Sequence, residues 1–290
     1  MVAEDFLQDA QVRQWLDGVE PAWTLLTFDS LQALRREPSA SQTAIRIAND
    51  LSADEIAGSA VARNTLILLR QAIERGGLPL TATGNLSRAV VAEMCKLVEW
   101  PHYDQADAFR FQKVINEPDF MPLHVVRLLA QAATLARAQR GKLMATPLGK
   151  SMLSDARQGS LTAILFHLAF WHMDLGYFGR GLLGSWPQAD IGIVLWSLSV
   201  SAGDWQTSEK LTRLCTIPEP AILSGAWDRT PYAMEARILR PLLWFGLLEY
   251  RSEKIPDSQF AARHYYRKAP LFDRLLAFDV KIDFAGGPRH

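Results

Sequence analysis

Apolar residues recur at helical spacing in the first quarter of the chain. This spacing predicts helices within residues 6–16 and 21–36 and a longer helix over residues 53–75. Ser52 and Glu55 have the spacing of a capping box at the start of the longest of these segments. Two glycines follow it and are expected to end the helix. The N-terminal part therefore reads as helical.

The middle of the chain changes from a helical to an alternating pattern. Helices are expected over residues 86–97, 104–115 and 120–134, and two short strands follow around a tight turn at Arg140-Gly141. A new helical turn is expected after Pro147. Three helices followed by a two-stranded hairpin are typical of a winged helix.

The C-terminal half shows the same order in a looser form. The expected helices and strands are residues 191–201, 207–215 and 231–245 for the helices and residues 246–254 and 260–270 for the strands. Pro241 lies inside the third of these helices and is expected to kink it. A closing helix is predicted for residues 271–278.

These patterns predict a mainly α protein with two winged-helix-like units that carry short β-wings, preceded by an N-terminal helical cap. The expected division is an acidic cap in residues 1–74, a first unit in residues 75–158, and a second unit with aromatic connecting helices in residues 159–290.

Three stretches resemble uncharacterised bacterial winged-helix proteins, in some of which similar segments accompany an Ri-plasmid open-reading-frame-three-like domain. The first stretch is GGLPLTATGNLSRAVVAEM, and the second is PLHVVRLLAQAATLARAQRGKLMATPLGKSML. The third consists of two parts, ARILRPLLWFGLLEY and YYRKAPLFDRLLAF. The resemblance covers roughly residues 75–285 and implies a winged-helix fold. It carries no catalytic signature.

Composition indicates the location of the protein more clearly than its function. The chain has no apolar run of about 18 residues and no signal-peptide pattern at its start, so a cytoplasmic protein that does not enter the membrane is expected. The two cysteines, Cys95 and Cys215, are expected to be reduced and buried. The 31 basic and 31 acidic residues balance, although residues 75–155 and 206–290 each carry an excess of three basic residues.

Two glycine motifs have the letters of nucleotide-binding loops but not their context. Residues 179–184 read G-x-G-x-x-G, but an aromatic helix rather than a strand is expected before them. Gly149-Lys150-Ser151 lacks the earlier glycine of a P-loop, because that position is Met144. No cofactor is expected.

No catalytic constellation and no metal site is predicted. His167 and His172 are five residues apart, which places their side chains about 140° apart on an α-helix, unlike the four-residue spacing of zinc-binding helices. Since no nucleophile lies next to a base and no acids are paired, we expect a protein that is not an enzyme.

Basic and polar side chains on the third helix and wing of each unit are the candidate nucleic-acid-binding residues. Arginine and glutamine suit base edges, and wing cations suit phosphates. The candidates are His124, Arg127 and Gln131 on the first third helix, Arg137, Arg140 and Lys142 on its wing, and Arg237 and Arg240 in the second unit.

Two functional hypotheses follow. The first is a regulator of transcription that binds double-stranded DNA, and the second is a scaffold that binds another protein through the N-terminal helices or the aromatic middle segment. The nine tryptophans, several of which lie between Trp171 and Trp205, suit stacking, a partner surface or a packed core. A homodimer is a third possibility, because many helix-turn-helix proteins bind DNA as dimers.

Overall fold

A computed structural model describes residues 3–38, 43–103, 115–179, 183–223, 228–255 and 262–283. The α-helices among them are α1 (Ala3–Gln8), α2 (Ala10–Leu16), α3 (Phe28–Leu34), α4 (Ala60–Glu74), α5 (Arg88–Met94), α6 (Met121–Ala132), α7 (Pro147–Ser151), α8 (Gln158–His167), α9 (Ile191–Ser201), α10 (Ser208–Cys215), α11 (Pro220–Leu223), α12 (Thr230–Met234), α13 (Arg240–Trp244) and α14 (Pro270–Leu275).

The strands are β1 (Ile45–Ile47), β2 (Leu78–Pro79), β3 (Ala136–Gln139), β4 (Lys142–Ala145), β5 (Gln206–Thr207), β6 (Leu248–Lys254), β7 (Ala262–Lys268) and β8 (Leu276–Phe278). Two π-helical segments occupy Leu168–His172 and Glu235–Leu239. Short 3-10 helices lie at Ala22–Leu25, Glu117–Asp119, Asp155–Arg157, Leu175–Gly179 and Gln188–Asp190.

The predicted fold class is wrong. The protein is about 53% helical and 15% strand, with three small antiparallel sheets among the described residues, so it is a mixed α and β protein and not a mainly α protein with tandem winged helices. The physical reason is strand length. β1, β2, β5 and β8 have only two or three residues, too few for an alternating pattern to be detected.

The chain divides into two compact units. The terminal unit comprises residues 1–47, 170–243 and 247–290, and the inserted unit comprises residues 48–169 and 244–246. The three-part division predicted from the sequence stays a prediction. No helix among the described residues is long and apolar enough to cross a lipid bilayer.

The inserted unit has a sheet in the order β2-β4-β3. Leu78 of β2 pairs with Leu143 of β4, and Ala138 of β3 pairs with the same residue from the other side. Its helical core is formed by α4, α6 and α8, whose apolar side chains are almost fully buried, as at Leu68, Val126 and Leu165.

The terminal unit is built around α9. Every residue from Ile191 to Leu198 is buried, which is the pattern of a helix that is covered on all sides. A sheet in the order β5-β7-β6 and the two-stranded pair β1–β8 complete this unit. Ile45 of β1 pairs with Phe278 of β8.

Most of the longer elements lie near their predicted positions, although their ends differ. Ser52 and Glu55 form their capping-box hydrogen bonds, but α4 begins only at Ala60, where the hydroxyl of Ser59 accepts from the backbone N–H of Ala62. The predicted helix over residues 231–245 contains the π-helical segment just before Pro241, as its kink suggested. The closing helix ends at Leu275, and the chain then enters β8.

The helix predicted over residues 104–115 falls almost wholly outside the described residues. The same holds for the polar turn expected between β6 and β7, of which residues 256–261 are not described.

Candidate functional site

The hairpin β3–β4 presents basic side chains to solvent. Its turn is Arg140-Gly141, as predicted, and both residues have positive φ angles, 51° and 74°, which is the geometry of a type I′ turn. Arg137 lies opposite Met144 and Gln139 lies opposite Lys142, so these four side chains share one face of the hairpin. The other face carries Leu143, which is buried in the core.

No acidic residue occurs between positions 120 and 154, whereas this stretch holds five basic residues. Arg137, Arg140, Lys142 and Lys150 are exposed, and none of them forms an ion pair with a described residue. Lys142 Nζ makes one hydrogen bond, to the carbonyl oxygen of Gly76 at 3.4 Å. The hairpin therefore carries positive charge that the described part of the fold does not neutralise.

A polar turn lies beside the tip of the hairpin. The backbone N–H of Leu80 donates to the carbonyl oxygen of Gly141 at 2.8 Å, and the chain then enters a turn closed by a hydrogen bond from Thr81 N to Asn85 O. The hydroxyls of Thr81 and Thr83 are exposed and 3.0 Å apart. We call Arg137, Arg140 and Lys142 together with this turn, residues 81–85, the hairpin surface.

The predicted polar stripe on the third helix is not exposed. His124 and Arg127 of α6 are each only 7% exposed, so the expectation of a solvated stripe is wrong for both. The carboxylate of Glu117, which is fully buried, accepts from Arg127 Nε, and its Oε1 lies 2.8 Å from His124 Nδ1. Arg127 also donates to Gln131, which is half-buried. The three residues hold the fold together, and their role in binding stays a prediction.

Glu117 is the centre of this buried network. Its Oε2 also accepts from the backbone N–H of Leu86 at 2.6 Å, which ties the polar turn to α6. Burial alone raises the pKa of a carboxyl, but hydrogen bonds from His124, Leu86 and Arg127 outweigh it and hold the pKa of Glu117 below its usual value. A cleft of about 580 Å³ next to Glu117 is lined also by Thr81, Thr83, Asn85, Leu86, Arg88, Asn116 and Pro118.

The two candidates of the second predicted unit belong to the terminal unit. Arg237 is 2% exposed, so it is not the surface residue that was predicted. Its guanidinium donates to Asp174 Oδ1 at 3.0 Å and to the carbonyl oxygen of Gly184. Arg240 is more accessible, with 40% of its side chain exposed, and it lies 3.5 Å from the carboxylate of Glu235. The candidate residues therefore do not form one surface. Some are exposed on the hairpin, some belong to the network around Glu117, and two lie in the terminal unit.

The glycine motif at Gly149 has a packing role. A Cβ atom at this position would collide with the carbonyl oxygen of Leu135, which explains why the first turn of α7 needs glycine here. Thr146 caps that turn and Lys150 is exposed, as predicted.

The motif at residues 179–184 is partly outside the described residues. The segment before it, Leu175–Gly179, is a 3-10 helix and not a strand, which agrees with the sequence argument against a dinucleotide loop.

His172 does not follow the α-helical spacing that was predicted. Residues Leu168–His172 form a π-helix, in which side chains five apart lie on nearly the same side. His172 Nε2 is 2.7 Å from the carboxylate of Glu37. Asp174, two residues further along the chain, forms an ion pair with Arg237.

Cys95 and Cys215 are free and buried, as predicted. Burial raises the pKa of the Cys95 thiol to about 11 and also raises that of Cys215. Thiols with raised pKa values are poor nucleophiles at neutral pH, so neither residue has the properties of a reactive cysteine.

The tryptophans serve mainly as packing residues. Trp186 and Trp196 are 2% and 3% exposed, and Trp186 Nε1 donates to the carbonyl oxygen of Ile217 at 2.8 Å. Trp205 is half-buried between the guanidinium groups of Arg251 and Arg267, each 4.8 Å from its ring centroid. Trp205 is therefore already engaged in cation–π contacts with two side chains of its own unit.

Fold and site together define a mixed α and β protein of two compact units, one of which carries an exposed basic hairpin. Residues 57–158, within the inserted unit, match the family described as the Y4jL N-terminal domain. The chain is also 32% identical over 109 residues to a protein of Sinorhizobium fredii (strain NBRC 101917 / NGR234) named uncharacterized protein y4jL. These matches support a relationship to an uncharacterised bacterial protein family.

The match to the Sinorhizobium protein covers 38% of this chain and 49% of that relative. The chain therefore spans about half the length of the relative it matches. No solved structure matches the chain significantly.

Sequence reasoning did not include Lys150 in the basic region or the polar turn with Thr81 and Thr83 in the hairpin surface. The sequence signal for Lys150 was the absence of acidic residues over positions 120–154, which a count over a longer segment conceals. The position of the polar turn beside the hairpin depends on the pairing of β2 with β4, which no local pattern reveals.

Proposed function

We propose that the inserted unit binds double-stranded DNA through the hairpin surface and that the protein acts by binding rather than by catalysis. The observation that carries this proposal is the exposed cation set Arg137, Arg140 and Lys142, none of which has an acidic partner among the described residues. Cations that are not already paired gain most from phosphate contacts, because such contacts release condensed counterions.

The geometry of the hairpin suits phosphates better than base edges. A two-residue turn projects Arg140 beyond the strands, and Arg137 and Lys142 lie behind it on strands that pair with each other. The hydroxyl of Thr81 donates to the carbonyl oxygen of Asn85, which leaves the hydroxyl of Thr83 as a neutral hydrogen-bond donor beside this tip. Since His124 and Arg127 are buried, α6 lacks two of the side chains that were predicted to read bases, and we expect binding with little sequence preference.

The test is fluorescence anisotropy with a labelled 30-base-pair duplex of random sequence. The native protein is expected to bind with a dissociation constant of roughly 1–100 µM near physiological salt, the range of non-specific contacts. Combined replacement of Arg137, Arg140 and Lys142 by alanine is expected to weaken binding at least tenfold at low salt, because three phosphate contacts are removed.

A charge-matched control variant separates this surface from general electrostatic attraction. Arg36, Arg46 and Lys210 are exposed, lie in the terminal unit and form no ion pair with a described residue. Their combined replacement by alanine removes the same charge and should leave binding within twofold of the native value. Equal losses in both triple variants, or no loss in the hairpin variant, would reject the proposed surface.

A second candidate function, contact with another protein, is favoured by one observation in the terminal unit. Phe28, at the start of α3, is 72% exposed, and Leu25 is 48% exposed. Residues 25–27 pair with residues 281–283 through hydrogen bonds such as Asp283 N to Leu25 O at 2.8 Å, which places Ile282, 39% exposed, opposite Leu26. Exposed apolar residues that are grouped together mark interaction surfaces.

Light scattering tests the simplest form of this candidate, a homodimer. The native chain would show twice the monomer mass at high concentration, and Phe28→Ser would return it to the monomer mass. A monomer mass for the native chain at all concentrations would exclude self-association through this patch. Because Phe28 lies outside the hairpin surface, the substitution should leave DNA binding unchanged.

A further inference from the structure

The terminal unit contains a cleft of about 340 Å³ that the proposed DNA surface does not use. It is lined by Arg35, Phe170, Trp171, His172, Met173, Asp174, Ser185, Gln188, Ala189 and Ile191. Three consecutive residues of this lining, Phe170 to His172, come from the π-helix Leu168–His172. Short π-helical segments inside helices are rare and occur frequently at functional sites.

The apolar wall of the cleft is suited to a flat ring. Phe170 is 1% exposed and forms part of the core, whereas Trp171 and Met173 are half-buried. Trp171 offers an aromatic surface, and the thioether of Met173 offers a polarisable group. Such a wall binds planar apolar groups with favourable stacking and sulfur–aromatic contacts.

The polar part of the lining is held rigidly by hydrogen bonds within the unit. Gln188 Nε2 donates to the carbonyl oxygens of Phe170 at 3.2 Å and Met173 at 2.6 Å, while its Oε1 accepts from the backbone N–H of Leu175 at 3.1 Å. Asp174 is fixed by the buried guanidinium of Arg237. These groups shape the cleft, and a rigid site loses little entropy when a ligand binds.

Arg35 supplies donors that remain for a ligand. Its Nε donates to Asp190 Oδ1 at 2.8 Å, and its two terminal nitrogens make no hydrogen bond to a described residue. The side chain is 43% exposed. Two parallel N–H donors of a guanidinium match the two oxygens of a carboxylate.

We propose that this cleft binds a small aromatic carboxylate. The ring lies against Trp171 and Met173, and the carboxylate is held by the terminal nitrogens of Arg35. Asp174 is paired with Arg237, and Asp190 engages Arg35 only through Nε, so the terminal nitrogens of Arg35 remain as donors for the ligand. The volume lies at the lower end of the range for small-molecule sites, which corresponds to one or two rings. The inference is independent of DNA binding.

Isothermal titration of the full chain with 2-naphthoate tests the proposal, with 2-naphthylmethylamine as the ligand of opposite charge. We expect saturable one-to-one binding of the acid and at least tenfold weaker binding of the amine. Arg35→Gln should weaken acid binding at least tenfold, and Trp171→Leu should also weaken it. Arg36→Gln, a substitution of the exposed neighbour, should have no effect.

Asp190→Asn provides a variant that retains an oxygen acceptor for Arg35 Nε but removes the negative charge beside the guanidinium. It should bind 2-naphthoate as tightly as the native protein or more tightly. Absence of saturable binding by the native chain, equal binding by Arg35→Gln, or a preference for the amine would each overturn the proposal. A normal thermal unfolding curve for every variant separates loss of the site from loss of the fold.

Discussion

The buried carboxylate of Glu117 contacts His124 and Arg127, two side chains that were predicted to be exposed. Helical spacing places His124 and Arg127 away from the most apolar face of α6, so solvent exposure was the natural prediction. Glu117 comes from the preceding 3-10 helix and covers both side chains. A partner from another segment cannot be detected from periodicity, which is why these residues were predicted to be exposed.

Arg127→Ala is expected to destabilise the protein by about 3 kcal/mol or more, because it leaves the buried carboxylate of Glu117 without its guanidinium partner. Arg137→Ala removes the same kind of side chain from an exposed strand position and should change the free energy of unfolding by less than about 0.5 kcal/mol. Urea unfolding of the two variants measures the difference. Equal stabilities would mean that Arg127 is not part of a buried network.

The pH dependence of stability should carry the signature of Glu117. Since the pKa of Glu117 is lower in the folded protein than its ordinary value of 4.5, its stabilising contribution is complete above that value and declines as the pH falls through the folded pKa. The free energy of unfolding should therefore fall more steeply below pH 4.5 in the native protein than in Glu117→Gln. Urea unfolding between pH 3 and 7 checks this, and parallel pH profiles would contradict it.

At the level of single elements, long segments with clear boundaries were predictable and short ones were not. Residues 191–201 form α9 as expected, and the turn at Arg140-Gly141 was read correctly from its position between two strands. β2 and β5 have two residues each. They form because β4 and β7 offer free backbone N–H and C=O groups, with which β2 and β5 pair. Local sequence cannot supply that information.

At the turn of the hairpin β3–β4, a residue that favours stability differs from the residue that favours the proposed DNA binding. Arg140 has a positive φ of 51°, a conformation that glycine and asparagine adopt more easily than arginine. Arg140→Asn is therefore expected to stabilise the protein by about 0.5–1 kcal/mol and to weaken DNA binding severalfold. Thermal unfolding and anisotropy, measured on the same preparation, test both parts. Unchanged affinity would remove Arg140 from the surface.

For the whole molecule, composition gave little guidance about partners. Its net charge of zero conceals a stretch of 35 residues, positions 120–154, with five basic and no acidic residues. In the folded chain, four of these five are exposed, and the fifth, Arg127, is buried. A neutral protein can therefore still present a local positive surface. The candidate cleft near Trp171 was not predictable at all, since its lining comes from three separate stretches of the terminal unit.

The most direct test of the central claim is the salt dependence of DNA binding by the native protein and by the triple alanine variant of Arg137, Arg140 and Lys142. A plot of the logarithm of the binding constant against the logarithm of salt concentration should be linear with a negative slope. The triple substitution should reduce the magnitude of that slope by about 3, since three phosphate contacts are lost. No binding by the native protein at low salt, or the same slope in both proteins, would contradict the assignment of the hairpin as the DNA-binding surface.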